Sequence, residues 1–527
     1  MPPAAALFWA VVSGVAEAAA FAPWDLWWCS LLALAPLLQA ACIAGRAGSK
    51  KAFGAGYLQG IVFFGILLWW IAPTISRYGQ IPIAAAWLVL FCLVLYLALY
   101  PGIWAWAAAR IVPRGSEGGR FDQALTILAL AALWALLEWV RGWMLTGFPW
   151  GALGYGLASK PVLIRSASIW GLWGVTFAAA MSSCAAFMVM RGKKGVLSGG
   201  LALAGSLLLL AMPGGGGLNG NINADGQAGE PLCACAVQGA FDQWEKWAPE
   251  MRQKTVKRYE VLTRRAAAEC RSGDGSAPSL MVWPETAMPF YFQERSQLRQ
   301  TVEALAGQLG IALLTGSPAY VKGPAGVSYL NSAWLVSPEA EVSSYSKRHL
   351  VPFGEYLPFG AITAWTRSFL PTAGDFVEGR SPEPLEAGPI KVGVLICFES
   401  IFPALARQEV EKGANILAVI TNDAWFGRTA APYQHAAVAA FRAVENGRFV
   451  VRAANTGVSQ ITAPDGRVLA SSRLFQPEYV CGMVELHQDL TLYTRYGDTW
   501  FIGLLSVIIV TAYLRFRVRS ARGQNRG

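Results

Sequence analysis

Charged residues are scarce in this sequence. They make up only 14% of the 527 residues, whereas 54% are hydrophobic. This balance excludes a disordered or fibrous protein, because such chains are rich in charge or strongly biased in composition. The hydrophobic fraction also exceeds what a soluble core of this size needs, so we expect part of the chain to face lipid.

Histidine is rarer still, with only His349, His435 and His487 in the whole sequence. The sequence has no CxxC pair and no His-rich cluster, and the three histidines are scattered, so no familiar metal-binding pattern is present. We therefore expect neither a metal nor another cofactor. Internal repeats and heptad runs are also absent, which excludes a solenoid or a long coiled coil.

The few charges are unevenly distributed along the chain. Residues 213–498 carry a net charge of −3, and the remaining residues carry +13, which together give the overall +10. The basic residues lie in short loops between apolar runs, a pattern typical of membrane topology rather than of a phosphate-binding face. We expect no nucleic-acid partner.

Hydropathy predicts eight membrane-spanning helices, at roughly 4–22, 24–45, 53–73, 80–109, 121–140, 168–190, 196–212 and 499–514. No Lys or Arg precedes the first run, so we expect a retained helix rather than a cleaved signal peptide. The prediction divides the chain into a seven-helix bundle at 1–212, a separate domain at 213–498, and an eighth helix with a basic tail at 499–527.

Alternate loops between these runs are basic. The loops after the second, fourth and sixth runs and the C-terminal tail hold Arg46, Lys50, Lys51, Arg110, Arg114, Arg120, Arg191, Lys193, Lys194, Arg515, Arg517, Arg519, Arg522 and Arg526. Basic residues resist translocation, so the loops that hold them stay in the cytoplasm. Both termini are therefore predicted to be cytoplasmic, with residues 213–498 on the opposite side of the membrane.

The 213–498 segment alternates short β-rich runs with helical patterns. We predict strands at 232–238, 280–284, 312–316, 332–336, 392–397, 416–421 and 449–453, and helices at 249–270, 292–309, 403–412 and 432–447. Such alternation, with nearly continuous apolar strands, indicates a layered α/β domain whose strands are buried on both faces.

Three residues that suit covalent catalysis lie at the ends of predicted strands. Glu285 follows one strand and a proline, Lys347 begins a loop after another, and Cys397 ends a third. If they meet at one edge of a sheet, they supply a nucleophile, a base and a cation. Backbone N–H groups at the strand-to-helix turn of Cys397 would favour its thiolate. The alternative is a surface salt bridge beside a buried cysteine.

Five cysteines lie outside the apolar runs: Cys233, Cys235, Cys270, Cys397 and Cys481. An oxidising compartment permits disulfides, but five residues cannot all pair within one chain. Cys233 and Cys235 point to the same face of a strand and suit the core. The sequence leaves open which of the cysteines other than Cys397 form disulfides.

Four motifs follow one another in this domain: WPE at 283–285, KRxLVPFGE at 347–355, CFE at 397–399, and NDAWFG at 422–427 with PxQH at 432–435. In this order they resemble the nitrilase, or carbon-nitrogen hydrolase, superfamily. Together with the predicted spans, and with EWVRG at 138–142 and GFPW at 147–150, they resemble one branch of it, the apolipoprotein N-acyltransferases.

The resemblance implies an αββα sandwich for the outer domain, attached to an eight-helix membrane bundle. It also implies a role for each matching residue. Glu285 would be the general base, Lys347 the cation near the tetrahedral intermediate, and Cys397 the nucleophile. Glu355 would be a supporting carboxylate, and Glu399 lies beside the nucleophile at a position that also matters in the family.

The resemblance extends to residues around the reacting groups. Trp247 matches a mobile tryptophan that gates the substrate. Phe398 stands where the family commonly has tyrosine, so any role assigned to that hydroxyl is lost here. The segment 356–371, with Phe359 and Trp365, is too apolar for an ordinary exposed loop, and its position after the KRxLVPFGE motif favours a membrane-dipping lid over a core segment.

The implied activity moves a fatty acyl chain from a phospholipid, through a cysteine thioester, to the α-amine of a lipoprotein's N-terminal diacylglyceryl-cysteine. The implied setting is the periplasmic face of the bacterial inner membrane, and we expect a monomer. Two alternatives stay open: a membrane-anchored amidase or nitrilase that uses water, and a non-catalytic multispan binding or transport protein. Against transport, the predicted spans hold few ionisable residues, chiefly Glu17 and Glu138.

Overall fold

A computed structural model describes residues 4–112, 119–191, 193–212, 231–243, 245–273, 278–324, 326–356, 376–380 and 383–524. The chain forms two compact units. The first comprises Met1–Ala72, Ile83–Gly214 and Tyr496–Gly527, and the second comprises Pro73–Pro82 and Gly215–Arg495. The short segment Pro73–Pro82, which lies between two predicted spans, thus belongs with the second unit.

The first unit is built from α-helices. They are α1 Ala4–Ala19, α2 Trp28–Leu32, α3 Leu34–Gly45, α4 Ser49–Leu68, α5 Ile71–Gly79, α6 Ile83–Ile111, α7 Arg120–Arg141, α8 Pro161–Ile164, α9 Ala167–Met190, α10 Lys193–Ala211 and, near the C-terminus, α16 Thr499–Gln524. Helix α5 continues from this unit into the second one.

Six helical stretches within the described residues are long and apolar enough to cross a membrane: Trp28–Gly45, Ser49–Leu68, Ile83–Ile111, Arg120–Arg141, Ala167–Met190 and Thr499–Arg517. The chain is therefore a multi-pass membrane protein, as its composition predicted. The first and seventh predicted spans coincide with shorter apolar helices, Ala4–Ala19 and Gly195–Ala211. Each is shorter than the roughly 20 residues that a bilayer core requires.

Two buried charged residues hold a loop within the first unit. The Arg141 guanidinium donates hydrogen bonds to the carbonyls of Phe148 and Trp150, at 2.8 and 2.7 Å. The Glu138 carboxylate accepts from the Leu153 N–H at 3.1 Å. A buried charge is tolerable only when hydrogen bonds replace its lost water. The EWVRG motif therefore anchors the GFPW loop.

The second unit contains two six-stranded sheets. In spatial order the first is β12 Glu478–Val484, β1 Leu232–Gln238, β2 Pro278–Val282, β3 Ala312–Gly323, β4 Gly326–Val336 and β5 Val342–Ser346. The second is β11 Val468–Ser471, β10 Gln460–Thr462, β9 Val450–Ala454, β8 Ile416–Thr421, β7 Ile390–Ile396 and β6 Leu385–Ala387. Within the described residues, five helices accompany them: α11 Pro249–Gly273, α12 Gln297–Leu309, α13 Pro403–Glu411, α14 Ala431–Asn446 and α15 Leu492–Tyr496.

The two sheets pack face to face around one apolar core. Alternate residues of β1 and β7, such as Ala234, Ala236, Val392 and Val394, meet in that core. The opposite face of the first sheet is covered by α11 and α12, and that of the second by α13 and α14. The four layers follow from strands that are apolar on both faces.

The direction of the strands brings several loops to one end of this sandwich. Strands β1, β2 and β3 run parallel, and β5 runs the same way because it pairs antiparallel with β4, which is antiparallel to β3. In the second sheet β7, β8 and β9 are parallel. Polar residues that follow parallel strands meet at the carboxyl edge of a sheet.

Two disulfides cross-link the first sheet. Cys235 of β1 pairs with Cys481, the residue directly opposite on β12, and Cys233 pairs with Cys270 of α11. These bonds resolve the pairing that the sequence left open and tie one helix and the edge strand to β1. Cys397 keeps a free thiol.

Candidate active site

Glu285 lies three residues beyond the end of β2 and is 6% exposed. Its turn packs against Gly316, where any Cβ would lie 2.6 Å from the Glu285 Cα, so only glycine permits this close approach. The Glu285 carboxylate accepts hydrogen bonds from the Asn331 side-chain amide at 2.7 Å and from the Asn422 N–H at 2.8 Å. Since Asn422 follows β8, this second bond joins the ends of the two sheets.

Burial raises the pKa of Glu285 above its ordinary value. The nearby Lys347 ammonium acts in the opposite direction and lowers that pKa, while the Glu355 carboxylate raises it further. A carboxylate with a raised pKa binds a proton more strongly than an exposed one does. Glu285 is therefore suited to accept a proton from a neighbouring group.

Lys347 directly follows β5, a strand that the sequence pattern missed. Its ammonium is 1% exposed and lies 2.9 and 2.8 Å from the two Glu355 carboxylate oxygens. Burial alone would lower the pKa of Lys347, but Glu355, Cys397 and Glu285 together raise it. The lysine therefore stays positively charged beside the other two residues, and Glu355 fixes its position.

Cys397 directly follows β7, at a turn that leads into α13. Its φ of +53° lies in the left-handed region, which costs a non-glycine residue about 1–2 kcal/mol. A strained residue at a strand-to-helix turn often marks a functional site, because the surrounding structure must hold it there. The geometry thus brings Glu285, Lys347 and Cys397 to the same end of the sandwich.

Burial of Cys397 opposes the thiolate that backbone N–H groups at this turn would favour. Burial raises the pKa of the Cys397 thiol, and the Glu285 and Asp423 carboxylates raise it further. Lys347 and a hydrogen bond from the Thr421 hydroxyl act in the opposite direction but do not outweigh the burial. The thiol is therefore protonated at neutral pH, and its reaction requires a base.

Glu399 is fully buried, and its carboxylate accepts hydrogen bonds from four donor groups. Its carboxylate binds the Tyr345 hydroxyl at 2.9 Å and the N–H groups of Arg348, His349 and Ile396 at 2.6, 3.1 and 2.7 Å. These bonds connect the turn that holds the cysteine to the strand end that holds the lysine. Glu399 therefore helps to hold Cys397 and Lys347 in position without itself being exposed.

Phe398 packs in an aromatic cluster beside the nucleophile. Its ring centroid lies 5.2 Å from that of Phe402 and 6.0 Å from that of His349. The side chain that replaces the family's common tyrosine therefore makes apolar contacts.

Three residues, Trp247, Phe359 and Trp365, were assigned to substrate access, and the structure describes the first of them. Trp247 ends a short 3₁₀-helix, Glu245–Trp247, and is 42% exposed. Phe359 and Trp365 lie outside the described residues.

Sequence comparison places this site among known proteins. Residues 13–185 match the apolipoprotein N-acyltransferase N-terminal domain, and residues 234–488 match the carbon-nitrogen hydrolase family. The apolipoprotein N-acyltransferase of Geobacter metallireducens is 38% identical over 523 residues, which cover 98% of this chain and 96% of that protein. This chain belongs to the apolipoprotein N-acyltransferase family.

A second member of this family matches over a similar length. The apolipoprotein N-acyltransferase of Methylococcus capsulatus is 33% identical over 99% of this chain and 98% of its own length. Among solved structures, Nit3 of Saccharomyces cerevisiae, a member of the nitrilase superfamily, aligns with a TM-score of 0.38 and 19% identity, covering 48% of this chain and 90% of that one.

Two polar residues of the site in this chain, Asn331 and Lys246, were not identified from the sequence. Asn331 donates to both Glu285 and Glu355, at 2.7 and 3.0 Å. Lys246 is almost fully buried, and its ammonium lies 2.6 Å from the Thr286 hydroxyl. Burial lowers the pKa of Lys246 to about 8, although Glu285 raises it in part. Lys246 directly precedes Trp247, and that adjacency was the available signal.

Replacing Lys347 with methionine is expected to reduce acylation of Cys397 by about 10²- to 10³-fold, the usual loss when one group that stabilises an oxyanion is removed. It should also destabilise the domain by about 3–5 kcal/mol, because it leaves the Glu355 carboxylate without its cation. Single-turnover acylation rates and thermal unfolding of the full chain in detergent measure the two effects.

The double variant Lys347→Met with Glu355→Gln separates these effects. It removes the unpaired carboxylate, so we expect it to recover much of the lost thermal stability without recovering activity. Recovery of acylation by the double variant would show that the lysine acts only by neutralising Glu355.

Proposed function

We propose that this protein is an acyltransferase that moves a fatty acyl chain from a phospholipid to the α-amine of the N-terminal diacylglyceryl-cysteine of lipoproteins. One observation carries the proposal. A thiol, a carboxylate with a raised pKa and a buried ammonium lie at the same end of the two sheets, in a chain that a relative of this family matches over 98% of its length.

In the first step the Glu285 carboxylate takes the proton of the Cys397 thiol as the sulfur attacks the ester carbonyl carbon of the phospholipid. A carbon–sulfur bond forms, and the negative charge that develops on the carbonyl oxygen is stabilised by the Lys347 ammonium. The ester carbon–oxygen bond then breaks. The lysophospholipid oxygen receives the proton from Glu285, and the acyl chain remains on sulfur as a thioester.

In the second step the lipoprotein amine attacks the thioester carbonyl. Glu285 accepts a proton from the nitrogen as the carbon–nitrogen bond forms. The carbon–sulfur bond breaks, and the proton passes from Glu285 to the departing sulfur. One amide forms in place of one ester, and Cys397 returns to its thiol, so no external oxidant, reductant or metal is consumed.

We further propose eight membrane spans, with the 213–498 domain in the periplasm and both termini in the cytoplasm of the inner membrane. The alternating basic loops support this orientation. The two disulfides of β1 support it independently, because disulfides persist in the periplasm and are rare in the cytoplasm. The helices α1 and α10 would complete the set of eight, spanning with flanking residues.

Reporter fusions test this orientation. A periplasm-dependent reporter, such as alkaline phosphatase, should be active when fused after Gly217 and inactive when fused after Gly527. A cytoplasm-dependent fluorescent reporter should give the opposite pattern at each position. Cytoplasmic activity at Gly217 would reverse the orientation.

We also propose that Trp247, Phe359 and Trp365 contact the acyl chain or the bilayer on loops at the entrance to the site, and that the enzyme works as a monomer. Both substrates carry lipid chains and stay in the membrane surface, so a membrane-bound site meets them by diffusion in two dimensions.

The proposed reaction is tested by supplying the purified full chain with a phospholipid labelled in its acyl chain and a diacylglyceryl-cysteinyl peptide. Label should appear in an amide at the peptide α-amine, and N-acetylation of that amine should prevent the transfer. Label released only as free fatty acid, or ammonia released from simple amides, would favour the amidase alternative. No turnover at all would favour a binding protein.

A further inference from the structure

His435 belongs to the PxQH motif but has no part in the steps above. It lies in the first turns of α14 and is 1% exposed. Burying a titratable side chain without hydrogen bonds is costly, so the partners of this buried ring indicate what it does.

One nitrogen of the His435 ring faces the backbone of the nucleophile. The Ser400 hydroxyl donates to the Cys397 carbonyl oxygen at 2.8 Å, and the His435 Nε2 lies 2.9 Å from that hydroxyl and 3.2 Å from the same carbonyl oxygen. We assign the ring proton to Nε2, because this tautomer lets Ser400 give its single proton to the carbonyl and lets Nδ1 accept a hydrogen bond from the Arg452 guanidinium. Two donors therefore converge on the Cys397 carbonyl.

The other side of the ring is held by two charged residues. Nδ1 lies 3.0 Å from an Asp423 carboxylate oxygen and 3.1 Å from the Arg452 guanidinium, and these two groups are 2.7 Å apart. Burial alone would raise the pKa of Asp423, but the Arg452 guanidinium holds it at about 2, so the carboxylate stays charged. The ring has little freedom to turn.

The Cys397 carbonyl shares a planar peptide with the Phe398 N–H. In a trans peptide the C=O and N–H bonds point in opposite directions, so fixing the carbonyl oxygen on one side fixes the N–H on the other. Hydrogen bonds at this carbonyl also help to hold Cys397 in its left-handed conformation.

We propose that His435 is a positioning residue that, together with Ser400, orients the Cys397–Phe398 peptide so that the Phe398 N–H donates to the oxyanion formed during acyl transfer. The inference rests on the proposed function, because an oxyanion forms only if Cys397 attacks a carbonyl. Lys347 and this N–H would then stabilise the oxyanion jointly.

Two reactions of Cys397 separate this role from a general structural one. Acylation passes through an oxyanion, whereas alkylation by iodoacetamide displaces iodide at a saturated carbon and forms none. We expect His435→Ala to slow single-turnover acylation of the full chain in detergent by about 10- to 100-fold, because it misaligns an oxyanion donor without removing it. The alkylation rate of Cys397 should stay within about threefold of the wild type.

Two more variants keep the test decisive if His435→Ala folds poorly. Ser400→Ala removes only one hydrogen bond to the carbonyl, and we expect a smaller loss of acylation with unchanged alkylation. His435→Gln keeps a side-chain N–H and should recover part of the lost rate. The matched control is His487→Asn, since His487 bonds to the Gly447 carbonyl away from this network and should leave both rates unchanged.

The acyl donor distinguishes failure of this inference from failure of the proposed function. Each variant is acylated with p-nitrophenyl butyrate and, separately, with labelled phospholipid. If the wild type reacts with the ester but not with the phospholipid, the proposed substrate is wrong and the ester still tests His435. Near-normal acylation of His435→Ala and Ser400→Ala, or an equal fall in acylation and alkylation, would overturn the positioning role.

Discussion

Replacing Cys397 with alanine is expected to lower acyl transfer to a diacylglyceryl-cysteinyl peptide by about 10⁴- to 10⁶-fold, the loss found when the nucleophile of a covalent mechanism is removed. The effect should be this large because Cys397 is the free thiol at the carboxyl ends of the parallel strands, whereas the other four cysteines of the 213–498 region are paired in disulfides. Transfer of labelled acyl chains to the peptide measures it.

The matched control is Cys92→Ala, which removes an exposed free thiol of the first unit and should leave transfer unchanged. Cys397→Ser should retain far less activity than the wild type, because a hydroxyl is a much weaker nucleophile at neutral pH. Substantial transfer by Cys397→Ala would exclude a cysteine thioester from the reaction.

The second large effect is expected at Glu285. The resting Cys397 thiol is protonated, so its attack depends on a base, and Glu285→Gln should slow acylation by about 10²- to 10⁴-fold. The glutamine keeps the shape of the side chain, so the fold should be retained. Glu386→Gln, at an exposed carboxylate of β6 paired with Lys391, serves as the control and should change nothing.

The dependence of this rate on pH provides an independent test. Glu285 acts as a base only when deprotonated, and burial raises its pKa above the ordinary carboxyl value of 4.5. Acylation should therefore decline as the pH falls, with a midpoint above 4.5, and recover as the pH rises through that midpoint. Glu285→Gln should lose this acidic limb. A limb that persists unchanged in the variant would assign it to another group.

Much of the site could be predicted from the sequence, because apolar runs identify buried parallel strands and the residues that follow such strands lie at the same edge of a sheet. The nearly continuous apolar runs before Glu285 and Cys397 predicted buried strands, and the structure has β2 and β7 there. Residues that follow such strands meet at one edge. Lys347 was expected at the start of a loop after the strand at 332–336, whereas it directly follows β5, a short strand whose serines and tyrosine give no apolar pattern.

Other features depend on tertiary contacts that a sequence pattern does not contain. Cys270 reaches Cys233 because α11 packs on the first sheet, and nothing in the spacing of the two residues indicates that distance. Asn331 lies within a strand, where a single polar residue has no periodic signal. Burial raises the pKa of the Cys397 thiol, and the degree of burial has no signal in a local sequence pattern.

The boundary between the two units also depends on tertiary contacts that the sequence pattern does not contain. The predicted division assigned residues 1–212 to the membrane bundle, with a short loop between the spans at 53–73 and 80–109, yet Pro73–Pro82 belongs with the second unit. Its Tyr78 hydroxyl donates to the Ala424 carbonyl at 2.9 Å, and the Tyr78 ring meets that of Trp425 edge to face. Such a contact arises from residues more than 340 positions apart and has no local signature.

The central claim is that Cys397 carries the acyl chain between two substrates. The most direct measurement incubates the purified full chain with a phospholipid of known acyl composition, withholds any lipoprotein acceptor, and determines the intact mass and the modified peptide. We expect a mass increase of one acyl group on Cys397, sensitive to neutral hydroxylamine as a thioester is, and lost when a diacylglyceryl-cysteinyl peptide is added. An unmodified Cys397 in a preparation that still transfers acyl chains to the peptide would contradict it.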